Sequence, residues 1–247
     1  MAARATWPEC GPPLAIMTAM ATQLDRPRRR PPRPGTYRAV VFDLDGTLVR
    51  EANSWAVVQR KLGPDGHRTA RDRWRRFRAG LISRERFLRE QVAEFRGREV
   101  AVLDELVAEL EYHEGVAATC AALRAAGVRL AIVSSGLSAL AERVAIDLDV
   151  ELHRANELHV DGGRFTGEAT LHVPVGDKGP AFRETVTSLD VPFETVVAVG
   201  DGTGDADMFR LAGLGVAFCP LSFEVEDAAD AVIDVPDMRH LLPLVLG

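Results

Sequence analysis

The sequence of 247 residues is poor in cysteine and has no long apolar run. Its three cysteines, Cys10, Cys120 and Cys219, lack the spacing of a metal site or a disulfide framework, which favours a reducing compartment, the cytoplasm. No segment approaches the roughly 18 apolar residues that a membrane-spanning helix needs. The short apolar run at residues 14–21 faintly resembles a signal peptide, but prolines precede it. We therefore expect neither a membrane span nor a leader.

A strong positive charge is also absent, because 36 acidic residues outnumber 30 basic ones and give a net charge of −6. This balance provides no general attraction to nucleic acids or anionic membranes. Trp74 lies among several arginines within residues 71–76, a combination that could bind nucleic acid through stacking and charge. A helix with its arginines on the solvated face explains the pattern better. We expect no specific nucleic-acid partner.

Hydrophobic residues make up 47% of the chain, enough for one large domain or for a domain with an insert. Residues 1–36 are rich in proline and arginine and are expected to form a disordered tail. Residues 50–112 have helical periodicity, whereas residues 37–49 and 113–247 contain short apolar runs typical of strands. The sequence therefore predicts an α/β core interrupted, after its first strand, by a helical insert.

The helical insert has apolar residues at every third or fourth position, with charged residues between them. Separations between helices are expected at residues 63–66, which read Gly-Pro-Asp-Gly, and at Gly97. No strand pattern interrupts this block, so it is not expected to contribute to the sheet.

Strand and helix patterns alternate after Gly115. Apolar runs predict strands at residues 38–42, 129–133, 195–199, 215–218 and 231–233. A hairpin is expected around Gly162 and Gly163, and helices between the strands. This alternation favours a Rossmann-like parallel sheet that is covered by helices on both faces.

Polar side chains collect where the predicted core strands end. Because the carboxyl ends of parallel strands meet at one edge of a sheet, we expect these groups to surround a single pocket. They are Asp43, Asp45, Asp201, Asp205, Ser134, Ser135 and Lys178. Carboxylate oxygens without histidine or cysteine suit a hard cation, most simply Mg²⁺.

A phosphate group would suit the same pocket, since Mg²⁺ is often shared with substrate phosphate. Ser134, the amides of Ser135 and Gly136 and the helix that follows offer an anion-binding site. Lys178 supplies a positive charge for a phosphoryl oxygen. These groups together predict phosphoryl transfer, with one of the carboxylates as the nucleophile.

The sequence resembles the haloacid dehalogenase superfamily from residue 38 to about residue 235. Four motifs of that superfamily match in order: Asp43-Leu-Asp45-Gly-Thr47, Ser134, Lys178 and Gly200-Asp201-Gly-Thr-Gly-Asp205. Each motif is weak alone, but the four together, at suitable spacing, are highly specific.

The resemblance implies a role for each matched position. Asp43 would be the nucleophile, and Asp45 the general acid that later acts as the base. The metal site would consist of Asp43, the carbonyl of Asp45 and Asp201, with Asp205 orienting the water shell of the metal or Lys178. Thr47 is a further candidate for binding phosphate.

Within the superfamily, the phosphoserine phosphatase branch is the most similar. The helical insert matches the cap of that branch, and Arg89 falls where it carries an arginine for the substrate carboxylate. Gly46 and Gly204 stand where the branch prefers Ser and Asn. Ala52 occupies the place of a glutamate that holds the substrate's amino group, with Glu51 one residue early. Phosphoserine is therefore a candidate substrate.

The predicted function is a Mg²⁺-dependent phosphomonoesterase that hydrolyses a small phosphorylated metabolite through an aspartyl-phosphate. A phosphotransferase or phosphomutase on the same core is the alternative, because the motifs do not show what accepts the phosphoryl group. A third interpretation is a non-catalytic regulatory protein, which the four intact motifs argue against. The protein is expected to be a monomer or a homodimer.

Overall fold

A computed structural model of the protein describes residues 33–51, 53–61 and 63–247. Within these ranges seven strands form one sheet in the order β4-β3-β2-β1-β5-β6-β7. The strands are β1 (Ala39–Phe42), β2 (Arg129–Leu137), β3 (Leu152–Asp161), β4 (Arg164–Thr170), β5 (Val196–Gly200), β6 (Leu214–Phe218) and β7 (Ala231–Ile233). All neighbours are parallel except β3 and β4. The predicted α/β fold is confirmed.

The first strand, β1, lies at the centre of the sheet between β2 and β5. All four of its residues are buried, because successive side chains point to opposite faces and both faces are covered. Val40 and Phe42 belong to the apolar cluster on one face. Phe42 pairs with Ile132 of β2 and with Val199 of β5. This register brings the carboxyl ends of the three strands to the same edge.

The described part of the predicted insert is helical. Its helices are α1 (Ser54–Lys61), α2 (Pro64–Arg78), α3 (Arg84–Ala93) and α4 (Ala101–Ala108). The expected separation at residues 63–66 is wrong in its bounds, since α2 already begins at Pro64. Proline at the first helical position and an acidic residue, Asp65, in the first turn are both favourable at a helix N-terminus.

The inserted helices share an apolar cluster with the sheet. Trp55 of α1 and Phe95, which follows α3, meet edge to face with ring centroids 5.9 Å apart. Both belong to the cluster that contains Phe42 of β1. Within the insert, Arg73 of α2 donates to both carboxylate oxygens of Glu94, at 2.6 and 3.0 Å. The insert is thus joined to the core by apolar packing and braced internally by a bidentate ion pair.

The remaining helices cover the two faces of the sheet. They are α5 (Val116–Ala125), α6 (Ser138–Leu148), α7 (Gly179–Ser188), α8 (Ala206–Leu211), α9 (Phe223–Ala228) and α10 (Leu242–Val245). The expected end of the second strand at residue 133 is too early. β2 continues to Leu137 through an irregular register after Val133, because Leu137 still pairs with Asn156 of β3.

The described chain begins with a turn. The amide of Gly35 donates to the carbonyl of Val245 in α10 over 2.7 Å, so residues of the expected tail next to the core are attached to it. The rest of that tail, residues 1–32, lies outside the described residues. Among the helices of the described ranges, none combines the length and the hydropathy that a membrane span requires.

Candidate active site

Three buried carboxylates meet at the carboxyl edge of the sheet. Asp43 follows β1, Asp201 follows β5, and Asp205 ends the 3₁₀ helix Thr203–Asp205. One oxygen from each lies within 4.8 Å of the others. The amide of Asp43 donates to the carbonyl of Val199 over 2.8 Å. The sheet itself therefore fixes the position of the first carboxylate.

Lys178, directly before α7, connects two of these carboxylates. Its Nζ lies 2.6 Å from Oδ1 of Asp43 and 2.6 Å from Oδ1 of Asp205. The other oxygen of Asp205 accepts from the backbone amides of Asp201 and Gly202, at 3.1 and 2.9 Å. Because both oxygens of Asp205 already have donors, this residue orients Lys178 and the loop after β5.

Burial and like charge raise the pKa values in this cluster. Desolvation, followed by repulsion from Asp205, raises the pKa of Asp43 to about 7, against the opposing effect of Lys178. Desolvation and the charge of Asp43 raise the pKa of Asp201 well above its ordinary value. Burial alone would lower the pKa of Lys178, but the two carboxylates beside it raise it. One ammonium is thus insufficient to offset the desolvation and mutual repulsion of Asp43 and Asp201.

The donor set fits a hard divalent cation. Asp43, Asp201 and Asp205 offer carboxylate oxygens, and no histidine or cysteine of the described chain joins them. Oxygen donors with excess negative charge suit Mg²⁺ better than softer metals. A cation here would also offset the repulsion that, after desolvation, raises the pKa values of Asp43 and Asp201. The three buried aspartates can therefore hold a metal ion.

Asp45 accepts two hydrogen bonds from Ser54, a residue of the helical insert. Its Oδ2 accepts from the amide and the hydroxyl of Ser54, at 2.9 and 2.7 Å. Its Oδ1 is buried without a hydrogen-bond partner in the described chain. Burial raises the pKa of Asp45, and the two hydrogen bonds from Ser54 oppose that shift. Sequence reasoning missed Ser54, whose signal was only a polar residue at the start of a helix.

The loop of the second motif lies beside Asp45. The amide of Gly136 donates to Oγ of Ser134 over 2.9 Å. A Cβ atom built on Gly136 would lie 2.9 Å from Oδ2 of Asp45 and 3.0 Å from Oγ of Ser134. Ser134 and Asp45 therefore converge on a space that a side chain at Gly136 would fill.

Two further side chains hold this loop. The carbonyl of Ser135 accepts from Nε1 of Trp55 and from Nδ2 of Asn156, each over 2.9 Å. Asn156 also exchanges two hydrogen bonds with the backbone of Val173. Sequence reasoning missed both residues as part of the site, because only the fold brings β3 and α1 next to β2.

Thr47, expected as a phosphate-binding residue, lies against the metal cluster. Its hydroxyl donates to Oδ1 of Asp201 over 3.3 Å, and the residue is fully buried. In this arrangement the hydroxyl supports the position of Asp201. The structure thus places Thr47 beside the carboxylate cluster, which its hydroxyl contacts at Asp201.

The residues expected to select the substrate are not joined to this cluster. Arg89 is exposed on α3 and makes no hydrogen bond or ion pair with the described chain. Glu51 pairs with Arg60 at 3.1 Å. Ala52 lies outside the described residues. A Cβ atom on Gly204 would lie 3.9 Å from Gly176 and from Cε of Lys178, which is ordinary van der Waals contact, so a methyl group fits at this position.

Several known proteins are similar to this chain in sequence, and others in fold. The model of the family "haloacid dehalogenase-like hydrolase" matches residues 40–210. Phosphoserine phosphatase SerB2 of Mycobacterium tuberculosis is 34% identical over 199 residues, which cover 78% of this chain and 47% of the relative. The phosphoserine phosphatase of Lactococcus lactis is 31% identical over 171 residues, covering 68% of this chain and 76% of the relative. The chain spans about half the length of the first curated relatives it matches.

A similar solved structure is a phospho-aspartyl intermediate analogue of phosphoserine phosphatase. It superposes with a TM-score of 0.73 at 25% identity, covering 85% of this chain and 99% of that one. The match to the family model extends from β1 to α8 and takes in the motifs that supply the carboxylate cluster and Lys178. The chain therefore belongs to the haloacid dehalogenase-like hydrolase family.

Proposed function

We propose that the protein is a Mg²⁺-dependent phosphomonoesterase that hydrolyses a small phosphorylated metabolite through an aspartyl-phosphate on Asp43. The observation that carries this proposal is the 2.6 Å contact of Lys178 Nζ with Asp43 Oδ1 inside a buried carboxylate cluster. An ammonium on one oxygen orients the carboxylate for attack on phosphorus. The likeness to a solved phospho-aspartyl intermediate analogue of phosphoserine phosphatase supports the same chemistry.

Asp43, Asp201 and the carbonyl of Asp45 would hold the Mg²⁺. When bound, the ion supplies positive charge to the phosphoryl oxygens. Lys178 adds a fixed positive charge, which Asp205 keeps in place over 2.6 Å. We assign to Asp205 the orientation of Lys178 and of the water shell of the metal.

Asp43 and Asp45 divide the covalent chemistry between them. An oxygen of Asp43 attacks phosphorus while the bond to the leaving oxygen breaks, and Asp45 gives that oxygen its proton. Water then attacks the same phosphorus, Asp45 takes a proton from the water, and Asp43 is released as a carboxylate. Burial raises the pKa of Asp45, which favours a proton donor near neutral pH. The hydroxyl of Ser134 and the amides of Ser135 and Gly136 would bind phosphoryl oxygens.

Phosphoserine is the leading candidate substrate. The relatives from Mycobacterium tuberculosis and Lactococcus lactis are named phosphoserine phosphatases. We propose that residues 50–112 act as a cap over the core and that Arg89 binds the carboxylate of the substrate. Because Ala52 replaces a glutamate for the amino group, selection for that group should be weak.

The alternative functions are not favoured. A phosphotransferase, a phosphomutase or a non-catalytic regulatory protein would not account for relatives that are named phosphatases. We further propose a monomer or homodimer that acts in the cytoplasm without a membrane or nucleic-acid partner. The free thiols of Cys120 and Cys219 support a reducing compartment.

Steady-state hydrolysis tests the proposed function. Purified protein should release phosphate from p-nitrophenyl phosphate in Mg²⁺ and lose that activity in EDTA. Phosphoserine should then be compared with phosphoethanolamine, which lacks the carboxylate, and with 3-phosphooxypropanoate, which lacks the amino group. Turnover without metal would contradict the mechanism. Transfer to an added alcohol in preference to water would favour a phosphotransferase.

A further inference from the structure

Ser54 is the first residue of α1, but its hydroxyl does not cap that helix. The cap is Asn53, whose Oδ1 accepts from the amide of Ala56 over 3.0 Å. Ser54 is fully buried and directs both its amide and its hydroxyl to a single atom, Oδ2 of Asp45. Ser54 is therefore hydrogen-bonded to Asp45, and it is not needed as the cap of the helix.

The two oxygens of Asp45 are in unequal surroundings. Oδ2 has two donors from Ser54, whereas Oδ1 is buried with no hydrogen-bond partner in the described chain. An unpartnered buried carboxylate oxygen is unfavourable unless a ligand or a reaction uses it. The two hydrogen bonds from Ser54, at 2.9 and 2.7 Å, hold Oδ2 in its place and so leave Oδ1 as the free oxygen within the described chain.

We propose that Ser54 is a positioning residue that holds Oδ2 of Asp45 so that Oδ1 is the oxygen that transfers the proton. This inference rests on the proposed phosphatase function. As the phosphorus–oxygen bond to the leaving group breaks and the bond to Asp43 forms, the proton on Oδ1 moves to the leaving oxygen. In the second step Oδ1 takes a proton from the attacking water while the bond from phosphorus to Asp43 breaks.

The same helix start makes a second bond to the core. Nε1 of Trp55 donates to the carbonyl of Ser135 over 2.9 Å, next to the loop of Ser134. Successive residues of α1 thus contact both the proton-transferring carboxylate and the loop proposed to bind phosphate. The packing of α1 against the core then sets the orientation of Asp45. The helical insert thereby influences the proton transfer by Asp45.

The test compares substrates whose leaving groups differ in their need for a proton. A serine or ethanolamine leaving group must be protonated, whereas p-nitrophenolate departs as an anion. Ser54→Ala keeps the hydrogen bond from the backbone amide to Asp45 and loses the hydrogen bond from the hydroxyl. We expect kcat/KM to fall about tenfold for phosphoethanolamine and less than about twofold for p-nitrophenyl phosphate. Ser54→Thr, which retains a hydroxyl, should restore most of the loss.

Asn53→Ala is the matched control, because it removes the cap of the same helix and leaves Ser54 intact. It should lower thermal stability and leave the ratio of the two kcat/KM values unchanged. Equal losses on both substrates in Ser54→Ala, or the same change of ratio in Asn53→Ala, would overturn the role of Ser54.

A second variant covers the possibility that Ser54→Ala does not fold. Gly136→Ala would place its Cβ atom 2.8 Å from Oγ of Ser54 and 2.9 Å from Oδ2 of Asp45. Like Ser54→Ala, it should lower kcat/KM for phosphoethanolamine relative to kcat/KM for p-nitrophenyl phosphate. An unchanged ratio of the two values contradicts the inference. Hydrolysis of p-nitrophenyl phosphate by the wild type tests the function separately. Without that activity both proposals fail; with it, an unchanged ratio removes only the role of Ser54.

Discussion

Gly46 and Asp201 are so close that a Cβ atom on Gly46 would lie 2.2 Å from Oδ2 of Asp201 and 2.7 Å from its Cγ. Gly46 also has a φ of +80°, which residues with side chains rarely adopt. Asp201 is buried and bonded to Thr47, so it has little room to withdraw. Because Gly46 has no side chain, the carboxylate of Asp201 can occupy its observed position in the candidate metal site. The serine preferred by the phosphoserine phosphatase branch would require Asp201 to lie elsewhere.

Gly46→Ala should weaken metal binding by displacing Asp201. We expect the Mg²⁺ concentration for half-maximal activity to rise about tenfold, as measured by metal titration of p-nitrophenyl phosphate hydrolysis. Gly127→Ala is the control, since Gly127 has a φ of +78° and no atom within 4 Å of an added Cβ. Both variants should lose about 1 kcal/mol of stability from the backbone conformation. A normal Mg²⁺ titration in Gly46→Ala would remove the link to Asp201.

Asp43→Asn should abolish turnover, because an amide cannot form the aspartyl-phosphate. The loss should be at least about a thousandfold in kcat, with an unchanged circular dichroism spectrum. Trapping with beryllium fluoride, followed by fluorine NMR, should give a bound signal in the wild type and none in the variant. Asp177→Asn replaces a half-exposed carboxylate next to Lys178 in sequence and should retain both turnover and the bound beryllium fluoride signal. Residual turnover near the wild-type level in Asp43→Asn would move the nucleophile to another residue.

The sequence predicts where the carboxylates of the candidate site meet, because the strand patterns place them at the ends of neighbouring parallel strands. An apolar run that ends at Phe42 forms a buried central strand, and parallel pairing then brings Asp43 and Asp201 to one edge. The structure places Asp205 against Lys178, and the orienting role that the motif resemblance implies for it stays a prediction.

The remaining contacts depend on tertiary packing that no local pattern encodes. Ser54 reaches Asp45 only because α1 docks against β2, and Asn156 reaches Ser135 only because β3 lies beside it. The contact of the Thr47 hydroxyl with Asp201 likewise joins residues that are distant in sequence. The binding of phosphate by Thr47 stays a prediction.

The metal-free protein should become less stable as pH rises from about 4 to about 7, through a contribution from Asp43. Burial, with repulsion from Asp205, raises the pKa of Asp43 from 3.8 to about 7, so the folded chain keeps a proton that the unfolded chain has released. Stability falls with rising pH wherever the folded state binds more protons. The raised pKa of Asp201 acts in the same direction. Thermal unfolding in EDTA at several pH values measures the effect.

Asp43→Asn isolates this contribution, because its amide does not titrate. The difference in unfolding temperature between variant and wild type should grow in favour of the variant between about pH 4 and about pH 7. Mg²⁺ should stabilise the wild type more at about pH 8 than at about pH 5, since its ligands must be ionised. A difference that shrinks over this range would mean that the pKa of Asp43 is not raised.

Arg89→Ala tests whether the exposed arginine of α3 recognises a substrate carboxylate. We expect KM to rise about tenfold for phosphoserine and to stay unchanged for phosphoethanolamine, because only the first carries a carboxylate for a bidentate contact. kcat should change little, since Arg89 makes no contact with the carboxylate cluster in the described chain. Arg75→Ala, an exposed arginine on α2, is the matched control for the loss of one positive charge and should alter neither KM. If both variants raise KM for both substrates equally, the arginines attract anions in general and Arg89 does not read the carboxylate.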